Sequence, residues 1–377
     1  MKKFMRLLWA AAVLCLLVSP ACSKTETTQA DPNWEKVLSF DDDHLIESIQ
    51  SLAVFKDQLY AAAADWYAGG TVWRTKDGKR WTRVSEPGFG TQTNYMTAYL
   101  FVFQDKLYAG IGCPEWHNLS GTWDDSCGVG MVYRSADGKK WEAVDTAGFG
   151  DKDNEYVPIF AEFQGMLYAG TYNPKGPQIW RSQTGDPGTW QKVISSSTNN
   201  DSAGLIVFKN QLYAIFSTLG MTSPMTVWHT VDGVKWEQVE FSENTCSFPG
   251  GFSVYKDALF IGMLNCSTGS EIWWTEDGKV WKVTGQNGFN TPGLAMVTTL
   301  GVYQDNLVAL AVDMHTGMEV WESADGQQWK QVNQDAFGSL HSTWNTWPTK
   351  GIAVFKDRLY FGSWGRGEIF RSNFPSQ

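Results

Sequence analysis

Histidine, arginine and cysteine are all scarce in this chain, and each shortage removes a class of chemistry. There are five histidines among 377 residues. His44, His117, His315 and His341 are too widely separated for metal-ligand spacing, and no Cys-x-x-Cys pair supports a zinc site. The acidic runs Asp41-Asp42-Asp43, Asp124-Asp125 and Asp151/Asp153/Glu155 match no EF-hand or RTX-type calcium pattern. No metal or other cofactor is therefore expected. A phosphate-binding Gly-rich loop, a nucleophile elbow and a dinucleotide fingerprint are also missing. Cations are outnumbered, 30 Lys and Arg against 40 Asp and Glu. An acidic chain is a poor nucleic-acid binder.

What the chain has in abundance is one repeated unit. Residues 51–84, SLAVFKDQLYAAAADWYAGGTVWRTKDGKRWTRV, read as four short strands. Lys56-Asp57-Gln58 leaves room only for a hairpin turn. Asp77-Gly78 suits the positive φ angles of a tight type I′ turn. The first turn returns at Phe103-Gln-Asp105, Phe163-Gln-Gly165, Phe208-Lys-Asn210, Tyr255-Lys-Asp257, Tyr303-Gln-Asp305 and Phe355-Lys-Asp357. Its last position holds only Asp, Gly or Asn, the residues that tolerate a left-handed backbone. The second turn returns as Asp137-Gly138, Asp232-Gly233, Asp277-Gly278 and Asp325-Gly326, with Gly185-Asp-Pro-Gly188 inserted in copy three.

A tryptophan follows each second turn, at Trp81, Trp141, Trp190, Trp236, Trp281 and Trp329. The seventh copy stops short of one, and Trp34-Glu-Lys-Val37 at the other end of the chain supplies its match. One such sheet cannot bury both faces alone, so the copies must stack. The expected fold is all-β: a seven-bladed β-propeller of four-stranded blades, closed by an N-terminal outer strand that removes the exposed edges. It takes up residues 33–377 as a single domain, and a monomer is expected.

Residues 1–21 carry Lys2, Lys3 and Arg6 ahead of an apolar run at 7–18 that is too short to span a bilayer as a mature helix. With Ser19-Pro-Ala21 before Cys22, this segment resembles a bacterial lipoprotein signal, which implies lipid on Cys22 and an envelope location, most simply the outer membrane. Ser19 stands where that family prefers leucine, and cleavage after Ala21 by ordinary signal peptidase is the alternative. Losing the three signal cations takes the formal charge from −10 to −13. Residues 22–32 read as a polar tether. If Cys22 is acylated, four cysteines remain and can pair, which export permits. Cys113 with Cys127, inside one loop, and Cys246 with Cys266, at one end of copy five, are the expected bridges.

Ser135-Ala-Asp137-Gly138-Lys-Lys-Trp141 and its counterparts resemble a shortened Asp-box, the turn repeat of sialidases and other propellers. The resemblance covers the whole set of copies and implies a structural role, since Asp-box residues are not catalytic in that family. Sialidases clamp a sugar carboxylate with three arginines. Here Arg74, Arg134, Arg181 and Arg371 share one repeat column, Arg80 and Arg83 lie on an outer strand, and Arg358 follows a first turn. Only Arg366 is left for a ligand-facing loop.

Both tight turns of each copy belong on one rim, and the long middle loops and links on the other, where function usually sits. Six tryptophans beyond the signal occupy no repeat column: Trp66, Trp116, Trp123, Trp344, Trp347 and Trp364. All fall on the long-loop side of copies seven, one and two. Loop packing explains such residues as readily as an aromatic platform for sugar rings does. Trp66, Trp116, Trp347, Trp364 and Arg366 are the candidate ligand-binding residues. The ligand expected is a glycan or a partner protein, with contact to a membrane only through the lipid. A glycan-cleaving hydrolase or lyase is the alternative, but no spacing selects a carboxylate pair for it.

Overall fold

A computed structural model of the chain describes residues 31–40, 46–65, 67–113, 129–144, 146–196, 202–217, 225–241, 247–265, 269–285, 289, 294–313, 317–334, 337 and 347–373. The expected signal, Cys22 and most of the tether lie outside them. Residues Asp31–Gln377 form one compact unit.

That unit is an all-β propeller. Copy one is an antiparallel meander of Ile46–Phe55, Gln58–Asp65, Thr71–Thr75 and Trp81–Arg83. The same order recurs through copies two to six. Copy seven contributes Trp347–Phe355, Arg358–Trp364 and Ile369–Ser372, and its fourth strand is Trp34–Leu38, with Trp34 opposite Ser372 and Glu35 opposite Arg371. Burial falls from the second strand outward. Leu59 to Asp65 are all buried, whereas the fourth strand of copy one is half-buried to exposed. This gradient is why second strands read as unbroken apolar runs.

The two turns differ from the expectation in which of them is type I′. In the first turn both central residues are left-handed, Lys56 at φ 46 and Asp57 at φ 54, the geometry that matches strand twist in a two-residue hairpin. In the second turn only Gly78 is left-handed, at φ 76. A wider loop is held there by side chains. The Asp77 carboxylate accepts the N–H groups of Lys79 and Arg80 at 3.0 and 2.8 Å, and the Thr75 hydroxyl accepts that of Gly78 at 2.9 Å. Because the carboxylate satisfies backbone donors directly, the turn need not be tight. The same donors hold Asp77, Asp137, Asp232, Asp277 and Asp325 below the usual carboxylate range.

Each copy is keyed to the next on this short-turn side. A Cβ on Gly78 would overlap the hydroxyl of Tyr360 in copy seven, and one on Gly138 would overlap that of Tyr60 in copy one. Gly185, Gly233 and Gly278 meet Tyr108, Tyr168 and Tyr213 in the same way, and Gly326 meets Phe260. Val308 takes this position in copy six, and copy seven brings no such glycine turn to meet it. First-turn side chains add stitches: Lys56 donates to the Ala136 carbonyl at 2.7 Å, and Gln164 to that of Val231 at 2.9 Å. Across the closing seam, Lys79 of copy one pairs with Glu35 at 2.9 Å, and Glu35 also pairs with Arg371.

Nearer the outer wall, a phenylalanine from each of six links wedges against the aromatics of the following copy. Phe89 stacks on Tyr133 at 4.5 Å and meets Trp141 edge-on at 5.4 Å. Phe149 lies 5.1 Å from both Trp180 and Trp190. Phe89 and Phe149 are themselves left-handed, at φ 54 and 56, and each sits between two glycines.

Candidate ligand-binding rim

Trp347 and Trp364 are brought together. They are the first and last residues of the inner hairpin of copy seven and stand directly opposite each other in its ladder. They are strand residues at the rim, rather than loop residues. Trp364 also bridges to Ser48, so the hairpins of copies seven and one are joined at this point. Ser48 is fully buried and accepts a hydrogen bond from Gln50 at 2.5 Å. The indole of Trp364 is half-buried.

Arg366 follows on a short turn. Gly365 and Gly367 flank it at φ 94 and 57, backbone conformations that a side chain would strain. The turn is clamped below: the Ser363 N–H donates to the Glu368 carbonyl at 2.9 Å, and the Glu368 N–H donates to the Ser363 hydroxyl at 3.1 Å. The buried Glu368 carboxylate pairs with Lys36 at 2.7 Å. The half-buried Arg366 is thus carried on a fixed platform two residues from Trp364.

In copy one, the turn after Asp65 is pinned in the same manner. The Asp65 carboxylate accepts the N–H groups of Tyr67 and Ala68 at 2.9 and 2.8 Å, and Gln92 donates to the Tyr67 carbonyl at 2.7 Å. Tyr67 is 63% exposed, a large aromatic displayed on the rim. Trp66 and Trp116 lie outside the described residues, as do Cys127, Cys246 and Cys266. Cys113 is buried at the rim end of the second strand of copy two.

All eight arginines beyond the first thirty residues are described, and their placement bears on the sialidase resemblance. Arg134 pairs with Glu142 at 2.7 Å and with Asp186 of the next copy at 2.5 Å, Arg181 donates to the Gly233 carbonyl of the next copy, and Arg371 pairs with Glu35 inside copy seven. Arg80 pairs with Asp77, and Arg358 donates to the Ser372 carbonyl. Only Arg366 stands on the long-loop side, so a three-arginine clamp cannot be assembled there.

Known structures share the architecture at low identity. The chain is similar to the extracellular domain of BT4673 from B. thetaiotaomicron, described as a hybrid two component system, with 13% identity over 91% of this chain and 40% of that one, at a TM-score of 0.61. A second structure of the same domain, described as a one component system, matches at 13% identity, 90% and 40% coverage and a TM-score of 0.58. This chain therefore spans well under half the length of those relatives. The WD40 β-propeller domain of Doa1 matches at 12% identity over 92% of this chain and 98% of that one, with a TM-score of 0.54. At these identities the likeness is one of fold. No family model matches the chain, and no curated protein matches it.

A second aromatic group was missed by counting tryptophans alone. Tyr156 and Tyr172 face each other across the inner hairpin of copy three, at the same rim end that the tryptophan pair takes in copy seven. With Met96, Ala64 and Tyr99 they form a cluster reaching copies one and two. Burial pushes the Tyr99 and Tyr156 hydroxyls above the usual phenol range. The signal was available: aromatics at both ends of an inner hairpin, outside the repeat columns. The rim's aromatic character therefore extends into copy three.

Proposed function

We propose that this chain is an exported, lipid-anchored, seven-bladed β-propeller that binds a glycan through the long-loop rim of copies seven, one and two. The observation that carries it is the opposed Trp347 and Trp364 with Arg366 on the adjoining clamped turn. Aromatic faces suit the apolar faces of sugar rings, and a guanidinium suits an acidic substituent. The clamped turn presents Arg366 with little ordering cost on binding. The second turns act as shortened Asp-boxes and carry the fold. At this rim the Asp65 carboxylate is committed to backbone donors and that of Glu368 to Lys36.

The anchor is lipid on Cys22. Cys113–Cys127 and Cys246–Cys266 are the disulfides, and mass mapping of the non-reduced protein tests them. A Cys22→Ser protein is expected in the soluble fraction; unchanged membrane partition defeats the anchor. For the ligand, a glycan array with residues 31–377 is expected to return acidic glycans. Those hits should weaken in Trp364→Ala and Arg366→Ala while the fold holds. An array without hits, or hits indifferent to both changes, overturns the binding reading. Cleavage products from a hit favour the hydrolase instead.

A further inference from the structure

The wedge of phenylalanine between copies has one gap. At six boundaries a phenylalanine from the preceding chain segment packs against the third-strand aromatic of the next copy. Phe40 meets Trp73 at 4.9 Å, Phe241 meets Trp273 at 5.1 Å, Phe289 meets Trp321 at 4.8 Å and Phe337 meets Phe370 at 4.5 Å. Phe89 and Phe149 serve the other two. In copies one, two, five and six this phenylalanine stands eight residues beyond the fourth-strand tryptophan. Counted the same way from Trp190, the position in copy three is Thr198, in a link reading Ser195-Ser-Ser-Thr-Asn-Asn-Asp201. No aromatic lies between Trp190 and Phe208.

A cavity of about 300 Å³ lies at this boundary. Trp228 and Trp236 form its far wall, Val193 and Ile194 its near wall, and Phe216 contributes to the lining. Trp228 and Trp236 hold the same repeat positions as the residues that grip Phe289 or Phe149 elsewhere. Both indoles are half-buried. The volume belongs to a boundary whose walls are built for an aromatic ring and whose own link brings none.

We propose that the slot between Trp228 and Trp236 is a docking site for a phenylalanine side chain of a partner polypeptide, separate from the long-loop rim. The chain's own wedges show the form the guest takes. Gly88-Phe89-Gly90 and Gly148-Phe149-Gly150 present the ring from a left-handed residue between glycines, a tight turn that projects one side chain inward. A partner loop with the same Gly-Phe-Gly turn would complete the row of wedges. The drive is apolar burial and edge or face contact with two indoles.

The test titrates a cyclic peptide containing Gly-Phe-Gly into residues 31–377 and follows the indole N–H resonances of Trp228 and Trp236, assigned by Trp→Phe changes. The expected result is a saturable shift of both at millimolar peptide, with a Gly-Ala-Gly peptide at least tenfold weaker. A Thr198→Phe protein supplies its own wedge. It is expected to melt above the parent and to lose the peptide response. No saturable shift up to about 10 mM peptide overturns the proposal, since a single ring burial should be detectable in that range. A response that survives Thr198→Phe places the peptide elsewhere and overturns it equally.

Discussion

The two rims of this propeller are built on opposite rules. On the short-turn rim, a side chain in one copy has a counterpart in nearly every other, and it usually touches the next copy: Tyr360 on Gly78, Lys56 on Ala136, Glu35 on Lys79. On the long-loop rim, residues at matched positions differ from copy to copy. The inner-hairpin ends carry Trp347 and Trp364 in copy seven, Tyr156 and Tyr172 in copy three, and Ser202 and Ser217 in copy four. Repetition marks the contacts that every boundary needs. Departure from repetition marks positions the scaffold leaves open to other use.

The largest effect is expected where the short-turn rule closes the ring. Deleting residues through Phe40 removes the fourth strand of copy seven and uncovers Phe361 and Phe370 beneath Trp34. Broad, non-cooperative melting or aggregation should follow. A milder Trp34→Ala change should cost about 3–5 kcal/mol in chemical denaturation, as for other buried tryptophans. A truncated protein that melts like its parent would show that the seam contributes little.

Next comes the key between copies. Gly78→Ala must place a Cβ at a left-handed residue, worth about 1–2 kcal/mol, and against the Tyr360 hydroxyl as well. Pairing it with Tyr360→Phe removes the blocking oxygen and should recover part of the loss. A double-mutant cycle without coupling would break the claim that the two residues are fitted to each other.

On the opposite rim the sign of the comparison changes. Trp364→Ala should lower glycan affinity by about tenfold, ~1.4 kcal/mol, while melting close to the parent. A melting loss on the scale of Trp34→Ala would make Trp364 core and remove it from the site.

The smallest effect concerns protons. The second-turn aspartates titrate below the ordinary range in the folded state, because backbone N–H groups stabilise the carboxylate. Their contribution is therefore complete above the unfolded value of about 4 and is lost as pH falls from there. Melting temperature should decline below about pH 4, and Asp77→Asn should make that decline shallower. Equal slopes for the two proteins would assign the acid loss to other groups.

Most of the framework was legible in the linear sequence, because a repeat exposes its own rules. The turn columns, the tryptophan after each second turn and the stranded Trp34 segment all follow from backbone chirality, strand period and the need to bury both faces of a sheet. Even the turn that was misassigned shows the limit: Asp-Gly fits a type I′ hairpin, but the Asp77 carboxylate spans a wider loop and leaves only Gly78 left-handed. Dipeptide preference cannot foresee where a side chain will replace a backbone partner.

The fold class, the copy boundaries and the strand borrowed from the N-terminus could be read from the order of residues, since these depend on patterns local to each unit. Tertiary structure alone decided which residues meet between units. Tyr360 fills the space over Gly78 though 282 positions separate them, Phe289 wedges between Trp321 and Trp329, and Trp347 stands opposite Trp364. Such contacts depend on the register within a hairpin and on how neighbouring units stack. Neither is written in the order of residues along one strand.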